Sequence, residues 1–139
     1  MSSMVKDDLS EMDNDDIMFD KVKIEGTCQD LEKPYYRLTE VPHPSEVRPQ
    51  SVLKKSVALI LKKWDDGVVD VHYVVDQFRS IRLDMKIQHI HNEFTVEVYE
   101  KNCLFCLKQG VIDQFNQCLL QLYLLYRDNI SGNRQVCLC

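Results

Sequence analysis

The chain lacks any long apolar run. No window approaches the roughly 18 consecutive apolar residues of a membrane-spanning helix, so no transmembrane segment and no membrane partner are expected. No positively charged start leads into an apolar stretch and a small-residue cleavage site, so no secretory route is expected either. The expectation is a soluble intracellular chain whose thiols stay reduced. Its six cysteines (Cys28, Cys103, Cys106, Cys118, Cys137 and Cys139) are therefore not read as a disulfide framework, although their number is even. Glycine and proline are scarce, four of each, and no glycine-rich phosphate loop occurs. The ending Cys137-Leu138-Cys139 resembles a prenylation signal, but no other feature of a membrane-traffic GTPase accompanies it.

What is present is one domain's worth of apolar residue, 45% of 139 residues. The net charge of −5 belongs to the start of the chain. Asp7, Asp8, Glu11, Asp13, Asp15, Asp16 and Asp20 face only Lys6 there, and the remainder is near neutral. Residues 1–30 are accordingly read as an acidic disordered tail, with Ile17, Met18 and Phe19 as a short docking element. Residues 31–49 contain Pro42, Pro44 and Pro49, which forbid a regular helix and favour an extended arm. In that arm Tyr35 and Tyr36 are expected to lie on an apolar surface, as a strap across helices.

Residues 50–128 carry four stretches of helical period. The first runs from Gln50 to about Trp64, with Leu53, Val57, Ile60, Leu61 and Trp64 on one face and Gly67 beyond its end. The second is expected from about Val69 to Leu83, on a stripe of Val71, Val74, Val75, Phe78 and Ile81. The third, about His91 to Lys108, is apolar on two sides, Phe94, Val98 and Phe105 on one and Val96, Tyr99, Cys103 and Cys106 on another, which places it between neighbours. Gln109-Gly110 is a short reversal into a fourth helix from Ile112 to about Arg127, so the last two helices form an antiparallel hairpin. The fourth helix has its stripe at Ile112, Phe115, Leu119, Leu122 and Tyr126, and it carries further apolar residues off that stripe: Leu120, Tyr123, Leu124 and Leu125. That surplus points to a missing neighbour, either a partner or a further helical layer, with Leu120, Tyr123 and Leu124 as the candidate partner-binding residues. Residues 129–139 show no period and are read as an irregular tail.

Four blocks in order, VRPQSVLKKS (Val47 to Ser56), DQFRSIRLDM (Asp76 to Met85), IQHIHNEFTVEVYE (Ile87 to Glu100) and FNQCLLQLYLLY (Phe115 to Tyr126), resemble the Sac-three/GANP domain family, in its leukocyte-receptor-cluster-member-eight-like branch. The resemblance covers roughly Lys33 to Tyr126. It implies an all-α fold of antiparallel helical hairpins, a TPR/PCI-like stack truncated here before the family's winged helix. It further implies a non-enzymatic scaffold or adaptor in nuclear mRNA biogenesis, acting in transcription-coupled processing and export. The implied partners are a PCI-domain protein and a small acidic Sem/DSS-type subunit, with RNA as a further ligand. The implied compartment is the nucleus, with the cytoplasm second. The runner-up is a truncated regulatory or non-functional short form lacking the winged helix.

Eight cations between residues 48 and 86 are the candidate nucleic-acid-binding set: Arg48, Lys54, Lys55, Lys62, Lys63, Arg79, Arg82 and Lys86. Clustered cations give phosphate affinity, but five aspartates lie in the same span and no aromatic-interleaved platform accompanies them. A solvated helix face is the competing reading. A third class, a thiol- or zinc-dependent enzyme, rests on Cys103-x-x-Cys106 with His89, His91, Cys137 or Cys139, or on Cys118 or Cys106 beside His72, His89 or His91. A second cysteine pair at zinc spacing is missing and nothing orients a base on a thiol, so no cofactor, metal or catalytic residue is assigned.

Overall fold

The computed structural model describes residues 23–128. Among them are four α-helices and no strand: α1 (Gln50–Asp65), α2 (Val71–Ile87), α3 (Glu93–Gln109) and α4 (Ile112–Arg127), preceded by a single 3-10 turn at Pro44–Glu46. The protein is all-α, and each helix packs on the next, α3 most extensively on α4.

Local chemistry sets the helix ends. Pro49 sits just outside α1, at φ −68° and ψ 165°, its fixed φ leading the chain into the first turn. Gly67 follows the helix at φ 72°. The Asp70 side chain accepts from the Tyr73 amide at 2.9 Å and starts α2, two residues later than the apolar pattern suggests. Asn92 caps α3 through the Phe94 amide at 2.9 Å, and Thr95 returns the bond to the Asn92 amide at 3.2 Å. Gly110, at φ 74°, closes α3 in the left-handed conformation and turns the chain into α4.

Two apolar layers result. The stripes of α1 and α2 meet one side of α3, burying Leu53, Ile60, Val74, Phe78, Ile81 and Val98. Trp64 and Phe105 complete this layer edge-to-face, with ring centroids 4.9 Å apart. The other side of α3 meets α4 through Val96, Cys103, Cys118, Leu122, Leu125 and Tyr126. This is the two-sided burial expected of α3. Within α4, Leu125 belongs to the buried layer rather than to the surplus, while Ile112, placed on the stripe from the sequence, is 57% exposed.

A third, small cluster explains why α2 runs on to Ile87 instead of stopping near Leu83. Ile87 is buried against Ile24 and Val47 of the preceding extended segment. That segment is already packed at Ile24 and Cys28, ahead of residue 31, and doubles back on itself through Thr27 N–H to Pro44 O (2.9 Å) and Cys28 N–H to Val47 O (3.0 Å). At Gly26 a Cβ would come within 2.1 Å of the Val47 carbonyl oxygen, so only glycine allows the two arms of this loop so close. Ile17, Met18, Phe19 and residues 129–139 lie outside the described residues.

Candidate partner and nucleic-acid surfaces

The extended segment is tied to α2 largely by polar side chains of that helix and of Gln88, the residue that ends it. Gln88 Oε1 accepts from the Gly26 amide (3.0 Å), Gln77 Oε1 from Lys33 (3.2 Å) and Asp76 Oδ2 from Tyr35 (3.2 Å). At the centre lies Arg48, fully buried. Its Nε and its amide both donate to Asp84 Oδ2, at 2.8 and 3.3 Å, while the other carboxylate oxygen accepts from Lys33 Nζ at 2.9 Å. The Arg48 guanidinium also donates to the Leu31 carbonyl, Ser56 Oγ and Ser80 Oγ, at 3.1, 3.4 and 2.8 Å. A charge removed from water is tolerated only when paired and hydrogen-bonded in this way. Arg48 therefore cannot meet a phosphate, and its place in the nucleic-acid set is corrected to an internal tie.

Arg82 is half-buried and engaged with α4. Its Nη1 donates to Cys118 Sγ at 3.1 Å and its Nη2 to Gln114 Oε1 at 2.6 Å, across the seam from α2 to α4. Its Nε is buried without a hydrogen-bond partner. The remaining cations are spread over different neighbours. Arg79 stacks 4.0 Å from the Tyr35 ring centroid, Lys62 pairs with Asp66 at 2.9 Å, and Lys63 pairs with Glu32. Lys63, then Tyr73, hold the Glu32 carboxyl below its ordinary pKa by hydrogen bonding. Lys54 lies 5.9 Å over Phe94 and is exposed, as is Lys55 beside it on α1; Lys86 is half-buried. The expected landing place of the tyrosines also differs. Tyr35 is held under Arg79, and Tyr36 is 44% exposed and lines an open groove of about 500 Å³ with residues 37 to 43 and Glu46.

The thiols sit inside. Cys118 Sγ donates to Asn102 Oδ1 at 3.0 Å, and the amide of Asn102 donates to Cys106 Sγ at 3.4 Å. Burial pushes the Cys106 thiol up to about 11, with Cys118 adding to the effect, and burial likewise raises Cys118 against the opposing pull of Arg82. Thiols held protonated are poor nucleophiles and poor ligands. Among the described residues no group of three or more His, Cys, Asp or Glu side chains is placed to hold a metal; Cys137 and Cys139 lie outside them.

The partner-binding candidates are at the far edge of the stack. Leu120 and Tyr123 are 45% and 57% exposed and Leu124 is half-buried. Leu104 and Leu107 of α3 are also exposed. The sequence reading missed these because α3 looks apolar all round.

With this architecture in place, comparison with known proteins is decisive. A model of the SAC3/GANP family matches residues 26–137. The chain belongs to the SAC3/GANP family. Among its curated relatives is the leukocyte receptor cluster member 8 homolog of Xenopus laevis, 44% identical over 119 residues, which make up 86% of this chain and 15% of that protein. SAC3 family protein A of Arabidopsis thaliana is 40% identical over 118 residues, 85% of this chain and 11% of its own length. Protein THP3 of Saccharomyces cerevisiae is 37% identical over 108 residues, 78% of this chain and 23% of its own. The SAC3/GANP match thus spans about a quarter or less of each of these relatives. No described helix is long and apolar enough to cross a membrane.

Proposed function

We propose that this SAC3/GANP chain is a non-enzymatic helical scaffold or adaptor of nuclear mRNA biogenesis, and that it docks protein partners on the outer face of α4. The observation carrying the docking part is the exposure of Leu120 and Tyr123 on α4, the last of the described helices, where a helix facing only water would present polar residues. Family membership supports the rest. The resemblance implies mRNA processing and export, a PCI-domain protein and a small acidic Sem/DSS-type subunit as partners, and the nucleus as the working compartment. RNA contact, in this reading, is a minor function of the exposed Lys54 and Lys55, since Arg48 is buried on Asp84 and Arg82 is engaged with Gln114.

The test is a pull-down with a purified PCI-domain partner and its acidic subunit, using the chain and its Leu120→Glu and Tyr123→Glu variants. Retention of the chain and loss of both variants is the expected result. Equal retention of all three would move the docking face elsewhere, and no retention of any would remove the scaffold reading.

A further inference from the structure

Two contacts of the arm have the chemistry of a bound nucleotide. Lys63 Nζ of α1 and the Tyr73 hydroxyl of α2 both donate to one oxygen, Oε1 of Glu32. Burial, then the Glu32 carboxylate, push the Tyr73 hydroxyl above its ordinary pKa, so it stays a donor. Donors from two helices converging on one anionic oxygen make an anion subsite, which a phosphate oxygen also fits. Three residues along the arm the Tyr35 ring lies 4.0 Å from the Arg79 guanidinium, the stacking that a base makes on arginine. An extended chain puts the two contacts on the order of 10 Å apart. Neither contact is needed to hold the arm. Lys33 donates from its amide to Gln77 and from its ammonium to Asp84, and the Tyr35 amide donates to Asp76. The Lys63 and Glu32 side chains are 33% and 39% exposed, and an ion pair so open to water contributes little. Turning two side chains outward frees Lys63, Tyr73 and Arg79 while the arm's backbone stays in place. With Asp76 and Gln77 still taken by the arm, a second peptide finds no backbone acceptors there, whereas a nucleotide needs only the anion subsite and the guanidinium face.

We propose that Lys63, Tyr73 and Arg79 form a subsite for single-stranded RNA, taking a phosphate on Lys63 and Tyr73 and a neighbouring base on Arg79, and that Glu32 and Tyr35 of the arm fill it as internal mimics until RNA displaces their side chains. This rests on the reading of the chain as an RNA-contacting scaffold. It adds to the open contacts at Lys54 and Lys55 a second site that the arm keeps closed.

The experiment is a fluorescence-anisotropy titration of the full chain with a short oligoadenylate over a range of salt. Glu32→Gln/Tyr35→Ser removes both mimics and is expected to bind about tenfold tighter than the parent. The slope of log affinity against log salt moves from about −1.4 to about −2.1 as Lys63 becomes a third phosphate contact. Adding Lys63→Ala returns the slope to about −1.4. Adding Arg79→Ala instead removes most of the gain in affinity and leaves the slope near about −2.1, because stacking neutralises no phosphate. Glu32→Gln alone, an exposed substitution, shows the change in slope with Tyr35 still in place, so the test does not depend on the double variant folding. Glu40→Gln removes the same charge from another exposed position of the arm and leaves binding within about twofold of the parent. A double variant that binds no tighter than the parent would overturn the proposal, as would a gain that survives Lys63→Ala and Arg79→Ala or that Glu40→Gln matches. A double variant better retained by the acidic subunit, with no gain on the oligonucleotide, would overturn it in favour of a peptide ligand. In each of these cases a parent that binds with a slope of about −1.4 keeps the Lys54 and Lys55 contact. A parent that fails to bind beside a double variant that does refutes that contact and supports the closed subsite.

Discussion

Arg48 counts as surface charge in a composition and as a structural tie in the fold. Its guanidinium and amide converge on Asp84, itself fully buried, so removing either partner strands a charge away from water. Arg48→Met is expected to lower the unfolding free energy by about 3–5 kcal/mol, read from the urea midpoint, while Lys54→Met on the exposed side of α1 stays within about 0.5 kcal/mol. Cys106 gives a pH dependence of definite sign. Its folded pKa, about 11, lies above the ordinary thiol value of 9.0, so the folded state disfavours the thiolate. The stability this represents is fully present below about pH 9, and it is lost as pH rises toward 11. Cys106→Ala should flatten the fall in melting temperature over that window relative to the parent; an unchanged slope would show that another group titrates there.

At the scale of elements, the helices stand where their period put them, and their ends are set by single residues. Asp70→Ala removes the cap of α2 and is expected to cost about 1 kcal/mol. Gly110→Ala places a Cβ at φ 74° and should cost about 1 kcal/mol; equilibrium denaturation measures both. Periodicity found α1, α3 and α4 to within a residue or two because their apolar faces are continuous. It cut α2 short because the burial of Ile87 depends on Ile24 and Val47, contacts far away in the chain. Arg48 is hard to read for a related reason. Arginine looks the same in sequence whether it faces water or Asp84. A signal was nonetheless there: Asp84 falls three residues after Ile81 and next to Met85, on the core side of its own helix. An acid on a core stripe demands a buried cation. Nothing comparable marked Arg82, whose partners Gln114 and Cys118 are uncharged.

Across the whole molecule, charge is spent on holding the arm and the helices together, and apolar surface is left over at the far edge. That division predicts weak RNA binding with little salt dependence. With Lys54 and Lys55 as the contacting cations, the plot of log affinity against log salt for single-stranded RNA should have a slope of about −1.4, whereas engagement of all eight candidates would give about −5.6. The central claim is that the α4 face is where this SAC3/GANP chain meets protein. It is tested most directly by hydrogen exchange of the chain with and without the PCI-domain partner. The account predicts that slowed exchange concentrates between Asn116 and Arg127, with α1 unchanged. Protection concentrated on α1 and the arm, with α4 exchanging as in the free chain, would contradict it.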